Sequence, residues 1–191
     1  MNCEHPDPAE LAALRTAFAA PDRASPTGWA AVRAFEAAHG ILLPEPYRTC
    51  VAEITDGSPT GPPKHGLLSL DALSERTEPG LLARPFPLTG EWLGEWDDGV
   101  DSDDDLYWER LDDITFDGSL HLGTEGCGMD WHLIVSGPQR GAVWLLDGES
   151  ALPFGGEHGQ MPGPRGFAGW VTHWAAGRPW FPDLEGVVDL S

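Results

Sequence analysis

Asp101, Asp103, Asp105 and Asp112 stand at positions 1, 3, 5 and 12 of a twelve-residue count, the spacing from which a calcium loop supplies oxygen ligands. Two residues break the pattern. Leu106 occupies the sixth position, where glycine makes the sharp turn, and Asp112 is a short side chain for bidentate ligation. The acids therefore suit weak cation attraction better than a built calcium site, and no metal ligand set is assigned.

A second candidate is Gly123-Thr124-Glu125-Gly126-Cys127-Gly128. A phosphate cradle must open a helix, so that backbone N–H groups and the helix dipole face the anion. Here the residues that follow, Trp131, Leu133 and Val135, alternate as a strand does. The glycines thus predict a tight strand connection. Cys127 with His121 or His132 could suggest a thiol nucleophile. The acidic neighbours Glu125 and Asp130 oppose thiolate formation. Both histidines fall on expected strands as structural residues. No H-E-x-x-H, G-x-S-x-G or Walker spacing occurs. No catalytic residue and no cofactor is assigned.

The elements that must hold these residues can be read in order. Asp7 and Pro8 open a first helix with Leu11, Leu14 and Phe18 at helical spacing, ended by Pro21. It is Ala-rich and weakly amphipathic, which suits a peripheral layer. Ser25-Pro26 opens a second helix with Trp29, Val32 and Phe35 on one stripe, Glu36 on the far side, and Gly40 after its end. Tyr47, Cys50, Val51 and Ile54 share a face of a third helix that Asp56-Gly57 stops. Residues 65–70 read as a strand, Asp71 as the cap of one helical turn to Glu75, and Phe86-Pro87-Leu88 as a short edge strand. Residues 117–147 read as three strands, the last apolar on both faces. Residues 152–164 read as a Gly/Pro loop. Pro164 opens a closing helix with Phe167, Trp170, Val171 and Trp174 in one stripe, Gly177 ends it, and Trp180 and Phe181 tie down the tail.

These elements amount to an α+β fold. The division expected is an N-terminal helical extension over 1–24, one domain over 25–177 and a tail over 178–191. A length of 191 residues suffices for one sizeable core. The 24 glycines and 18 prolines predict long connections between short elements. Cys3, Cys50 and Cys127 are odd in number and far apart, which suits a reducing cytoplasm. No signal peptide and no apolar run of the roughly 18 residues a membrane span requires is read.

The charge favours a basic partner, a cation or simple solubility. The net charge is −20, with 11 Lys and Arg against 31 acids. Phosphate contacts require cations, so nucleic acid is excluded as a partner, and an anionic membrane surface with it. Twelve of the acids lie in residues 91–117, against Arg110 alone. Such a block repels itself and stays solvated. Trp92, Trp96 and Trp108 are interleaved with the acids and suit contact with a protein, whereas Trp29, Trp131, Trp144, Trp170 and Trp174 suit the core. The expected protein-binding residues are Trp96, Asp97, Asp98, Asp101, Asp103, Asp104, Asp105, Trp108, Glu109, Asp112 and Asp113.

One resemblance sharpens this. Trp29, Phe35-Glu36, the run from Gly40 through Leu43-Pro44 to Tyr47-Arg48, Ile54 and Asp56-Gly57 together resemble the opening of the SMI1/KNR4 family, or SUKH superfamily. Leu120-His121-Leu122-Gly123 with Asp130-Trp131, then Gly141-Ala142-Val143-Trp144, then residues 167–174 resemble its later strands and closing helix. Asp56 stands where the family commonly has Asn, and residues 91–117 look like an insertion. The resemblance implies an α+β fold with a mostly antiparallel sheet and helices packed against it, and a binding protein that is not an enzyme. In bacteria it implies an immunity protein that neutralises a toxin, often a nuclease or deaminase, and the acidic charge adds that the toxin domain is basic. A regulatory scaffold and an acidic-loop calcium-binding protein are the alternatives. A monomer or weak dimer is expected.

Overall fold

The computed structural model describes residues 5–19, 23–94, 105–155, 161 and 163–181. Among them are six helices and one five-stranded sheet, so the fold is α+β. The helices are α1 (Pro8–Ala17), α2 (Gly28–His39), α3 (Tyr47–Glu53), α4 (Leu70–Arg76), α5 (Asp105–Phe116) and α6 (Gly166–Ala175). The strands are β1 (Trp92–Leu93), β2 (Ser119–Gly126), β3 (Met129–Ile134), β4 (Val143–Leu146) and β5 (Ser150–Pro153), in spatial order β1-β5-β4-β3-β2 and antiparallel throughout.

The period-2 alternation of the central strands splits the core in two. Leu120, Leu122, Trp131, Leu133, Val143 and Leu145 face a large cluster with Leu14, Val32, Tyr47, Val51, Phe167 and Trp170 from the helices. Ile134, Trp144, Leu146 and Ala151 face the opposite way and pack with Phe86, Leu88 and Ile114 of α5. β4 is thus apolar on both faces, as its sequence requires. The Cys127-Gly128 turn has positive φ at both residues, 56° and 77°, the conformation that closes a two-residue hairpin with the twist of its strands. The glycine-rich segment is therefore the β2–β3 connection.

Several expectations change. The first helix is no peripheral layer: Leu14 and Phe18 are buried in the larger cluster. α2 begins at Gly28 after Thr27 rather than at Ser25-Pro26. Glu36 is on the buried side, because Leu43 N–H donates to its Oε1 (2.9 Å) and Arg48 binds both carboxylate oxygens (2.7 and 3.0 Å). A buried carboxylate is tolerated once it is paired in this way. Residues 65–70 do not form a strand. Leu67 makes one isolated bridge with Ser58, while His65 and Leu68 N–H donate to Thr124 and Leu122 carbonyls along the outer edge of β2. α4 runs two turns from the Ser69 cap, which accepts from Ala72 N–H, and Asp56 Oδ1 accepts from Leu70 N–H at 2.7 Å.

Phe86-Pro87-Leu88 is not a strand either. Pro85 and Pro87 remove two amide donors, and the segment is held by its buried side chains and by Phe86 N–H donating to Ser136 O. β5 lies partly in the stretch read as a loop. It is short and ends on Pro153, so composition hid it. The acidic block is not uniformly solvated: it contains β1 and the three-turn helix α5, whose Tyr107, Leu111 and Ile114 recur at i, i+4 and i+7. Of the tryptophans expected in the core, Trp131, Trp144 and Trp170 are fully buried, while Trp29 and Trp174 are half-buried.

Candidate functional site: the α5 face and the cleft beneath it

α5 lies across the second face of the sheet, anchored by Ile114 in the smaller core and by the Tyr107 hydroxyl, which donates to Gly148 O at 3.0 Å. Its outward surface carries Trp108 and Phe116, 49% and 48% exposed, with Glu109, Asp112 and Asp113 exposed between them. Tyr107 meets Trp108 edge-on at 5.6 Å and Trp92 at 6.2 Å. Trp92 is half-buried against the smaller core, and Leu93 beside it on β1 is 54% exposed. The patch is aromatic and acidic together.

Of the expected binding residues, Trp108, Glu109, Asp112 and Asp113 share this helix, and Asp105 begins it. Trp96, Asp97, Asp98, Asp101, Asp103 and Asp104 lie outside the described residues. The calcium count does not form a loop, since its positions 5 to 12 (residues 105–112) are helical. Phe116 and Leu93 were not among the expected residues. The i, i+4, i+7 spacing under the acids was the signal for a helix there.

Behind α5, between it and the ends of α4 and β2–β3, opens a cleft of about 710 Å³. α4 and the following segment supply Arg76, Glu78, Leu81 and Arg84. α5 and its end supply Asp112, Asp113, Phe116 and Asp117. The sheet supplies Ser119, His121, Asp130 and His132. The two histidines are register partners on β2 and β3 with ring centroids 5.1 Å apart and planes inclined by 30°. Alternation places them there: they are out of phase with Leu120, Leu122, Trp131 and Leu133, which fill the larger core.

Ser119 Oγ and His132 Nδ1 are hydrogen-bonded at 2.8 Å. His121 Nε2 is buried with no hydrogen-bond partner among the described residues, and Asp130 Oδ1 stands 3.7 Å from it. Arg84 pairs with Asp117 at 3.3 Å. Burial, and then the neighbouring His121, hold the His132 imidazole well below its ordinary value. Burial lowers His121 too, against an upward pull from Asp130. Both shifts favour the uncharged imidazole.

Comparison with protein-family models, with curated proteins and with solved structures gives no match. The site is therefore read on its own geometry. Cys127 is exposed at the β2–β3 turn and does not line the cleft, so it forms no nucleophile–base pair with His121 or His132 there. Among the described residues no cluster of three His, Cys, Asp or Glu side chains is placed to hold a metal, and no helix is long and apolar enough to cross a membrane. The arrangement is a surface of half-exposed aromatics and exposed carboxylates with a polar cleft opening beside it.

Proposed function

We propose that this is a binding protein, with no catalytic role, that neutralises a basic protein partner by docking it on α5, in the manner of an immunity protein against a nuclease-type toxin. The observation that carries this is the α5 surface, where Trp108 and Phe116 stand half exposed beside Glu109, Asp112 and Asp113. Aromatics supply the desolvated anchors of an interface, and surrounding acids steer a cationic partner and set its register. A toxin that grips phosphate must present the complementary cations. The net charge of −20 gives the long-range attraction. The motif order that resembles SMI1/KNR4 proteins, together with the α+β architecture, supports the same reading.

The test is growth rescue. Co-expression with the growth-inhibiting basic protein encoded by the adjacent gene restores growth. No such protein beside this one, or no rescue by it, overturns the immunity role.

A further inference from the structure

We propose that the cleft beneath α5 is the anchoring pocket of the docking face and receives the guanidinium of an arginine presented by the basic partner. This rests on the reading of α5 as that face.

Charge selects a cation. The cleft walls carry five carboxylates and two arginines, and one of these, Arg84, is already paired with Asp117. Geometry selects a donor with several N–H groups. At the floor, His121 Nε2 is buried and unpartnered, and Asp130 Oδ1 stands 3.7 Å away. Two N–H groups of one donor, one directed at the imidazole nitrogen and one at the carboxylate, satisfy both. On the α5 wall, Asp112 and Asp113 offer further acceptors.

Shape selects guanidinium over ammonium. The His121 imidazole and the Phe116 ring line the cleft and give flat surfaces on which a planar cation stacks, while its fork meets a carboxylate bidentately. A lysine ammonium is compact, strongly hydrated and without a plane. Position makes the donor a partner residue. Asp112, Asp113 and Phe116 belong both to the cleft and to the exposed surface of α5, so a protein seated on that surface reaches the floor with one long side chain.

The full chain is titrated, with the His121 and His132 imidazole proton signals followed by NMR. The probes are a nine-residue peptide with one central arginine, the same peptide with lysine, and acetyl-arginine amide. The arginine peptide shifts both imidazoles saturably, and the lysine peptide binds several-fold more weakly. Asp130→Asn weakens the arginine peptide about tenfold or more, as loss of one partner of an enclosed charge pair does. Glu10→Gln, which removes one negative charge on α1, leaves it unchanged. Equal binding of the lysine peptide, no shift of the imidazoles, or an Asp130→Asn variant that melts like the parent and binds as tightly overturns the proposal. Acetyl-arginine amide binding as tightly as the peptide also overturns it, because the occupant is then a small guanidine and not a partner side chain. Growth rescue reports on docking alone, so it stands or falls separately from this titration.

Discussion

His121 and His132 face each other across the β2–β3 ladder at 5.1 Å, with His132 Nδ1 bound to Ser119 Oγ at 2.8 Å. The pair sits on the opposite sheet face from the larger core and lines the cleft beside α5. This makes the cleft the place where the fold brings titratable groups together.

The pair sets a pH dependence of stability. In the unfolded chain an imidazole titrates near 6.5, and in the fold His132 lies well below that. The unfolded chain therefore takes up protons first as pH falls. The stability gained by keeping the ring neutral is whole above about pH 6.5 and is lost progressively below it. Thermal melts from pH 7.5 down to 5.5 show a falling Tm. His132→Gln, which cannot titrate, flattens that fall relative to the parent over the same range. Identical slopes in the two proteins contradict the assignment.

Glu36→Ala destabilises by about 3 kcal/mol, since it leaves Arg48 and the Leu43 N–H without the carboxylate that joins them. In a chain of this size that lowers Tm by roughly 10 °C. Calorimetry of the single variant measures it. A change below about 1 kcal/mol contradicts the burial of a paired charge on α2.

Glu125 Oε1 accepts from two indoles, Trp131 Nε1 and Trp180 Nε1, each at 3.0 Å. Trp180 is also stacked on His173, with ring centroids 5.1 Å apart. Glu125→Ala therefore costs about 2 kcal/mol and loosens the segment that follows α6. Limited proteolysis near Trp180 accelerates while the rest of the chain stays resistant. Unchanged cleavage means that stacking alone holds the tail.

Ile114→Ala removes the buried anchor of α5 at a cost of about 3 kcal/mol. Its effect is local. Amide exchange accelerates in residues 105–116 well before the β2–β3–β4 ladder, because α5 rests on the smaller core. Uniform acceleration throughout the chain contradicts that division.

The sequence carried the helices with clean caps and the strands with clean alternation. Asp7 accepts from Ala9 N–H at 2.8 Å and Gly40 adopts φ 68°, as their positions imply. It hid what depends on tertiary partners. Glu36 looks like a surface acid until Arg48 is brought to it. Tyr107, Leu111 and Ile114 carry a helical period that composition masks, because acids surround them. Of the site, Trp108, Glu109, Asp112 and Asp113 were legible from aromatics set among acids. The cleft was not: Arg76, Arg84, His121 and Asp130 come from separate elements, and no local pattern announces that β2, β3, α4 and α5 meet there. The alternation of His121 and His132 against the core residues was the one local clue.

The central claim is that α5 docks a basic protein. The measurement that tests it most directly is the association rate of this protein with the growth-inhibiting partner across a salt series, for the parent and for a Glu109→Lys, Asp112→Lys, Asp113→Lys variant. The parent rate falls by about tenfold or more between low and high salt, and the variant associates slowly with little salt dependence. A variant that is folded, associates as fast as the parent and keeps the same salt slope contradicts the account.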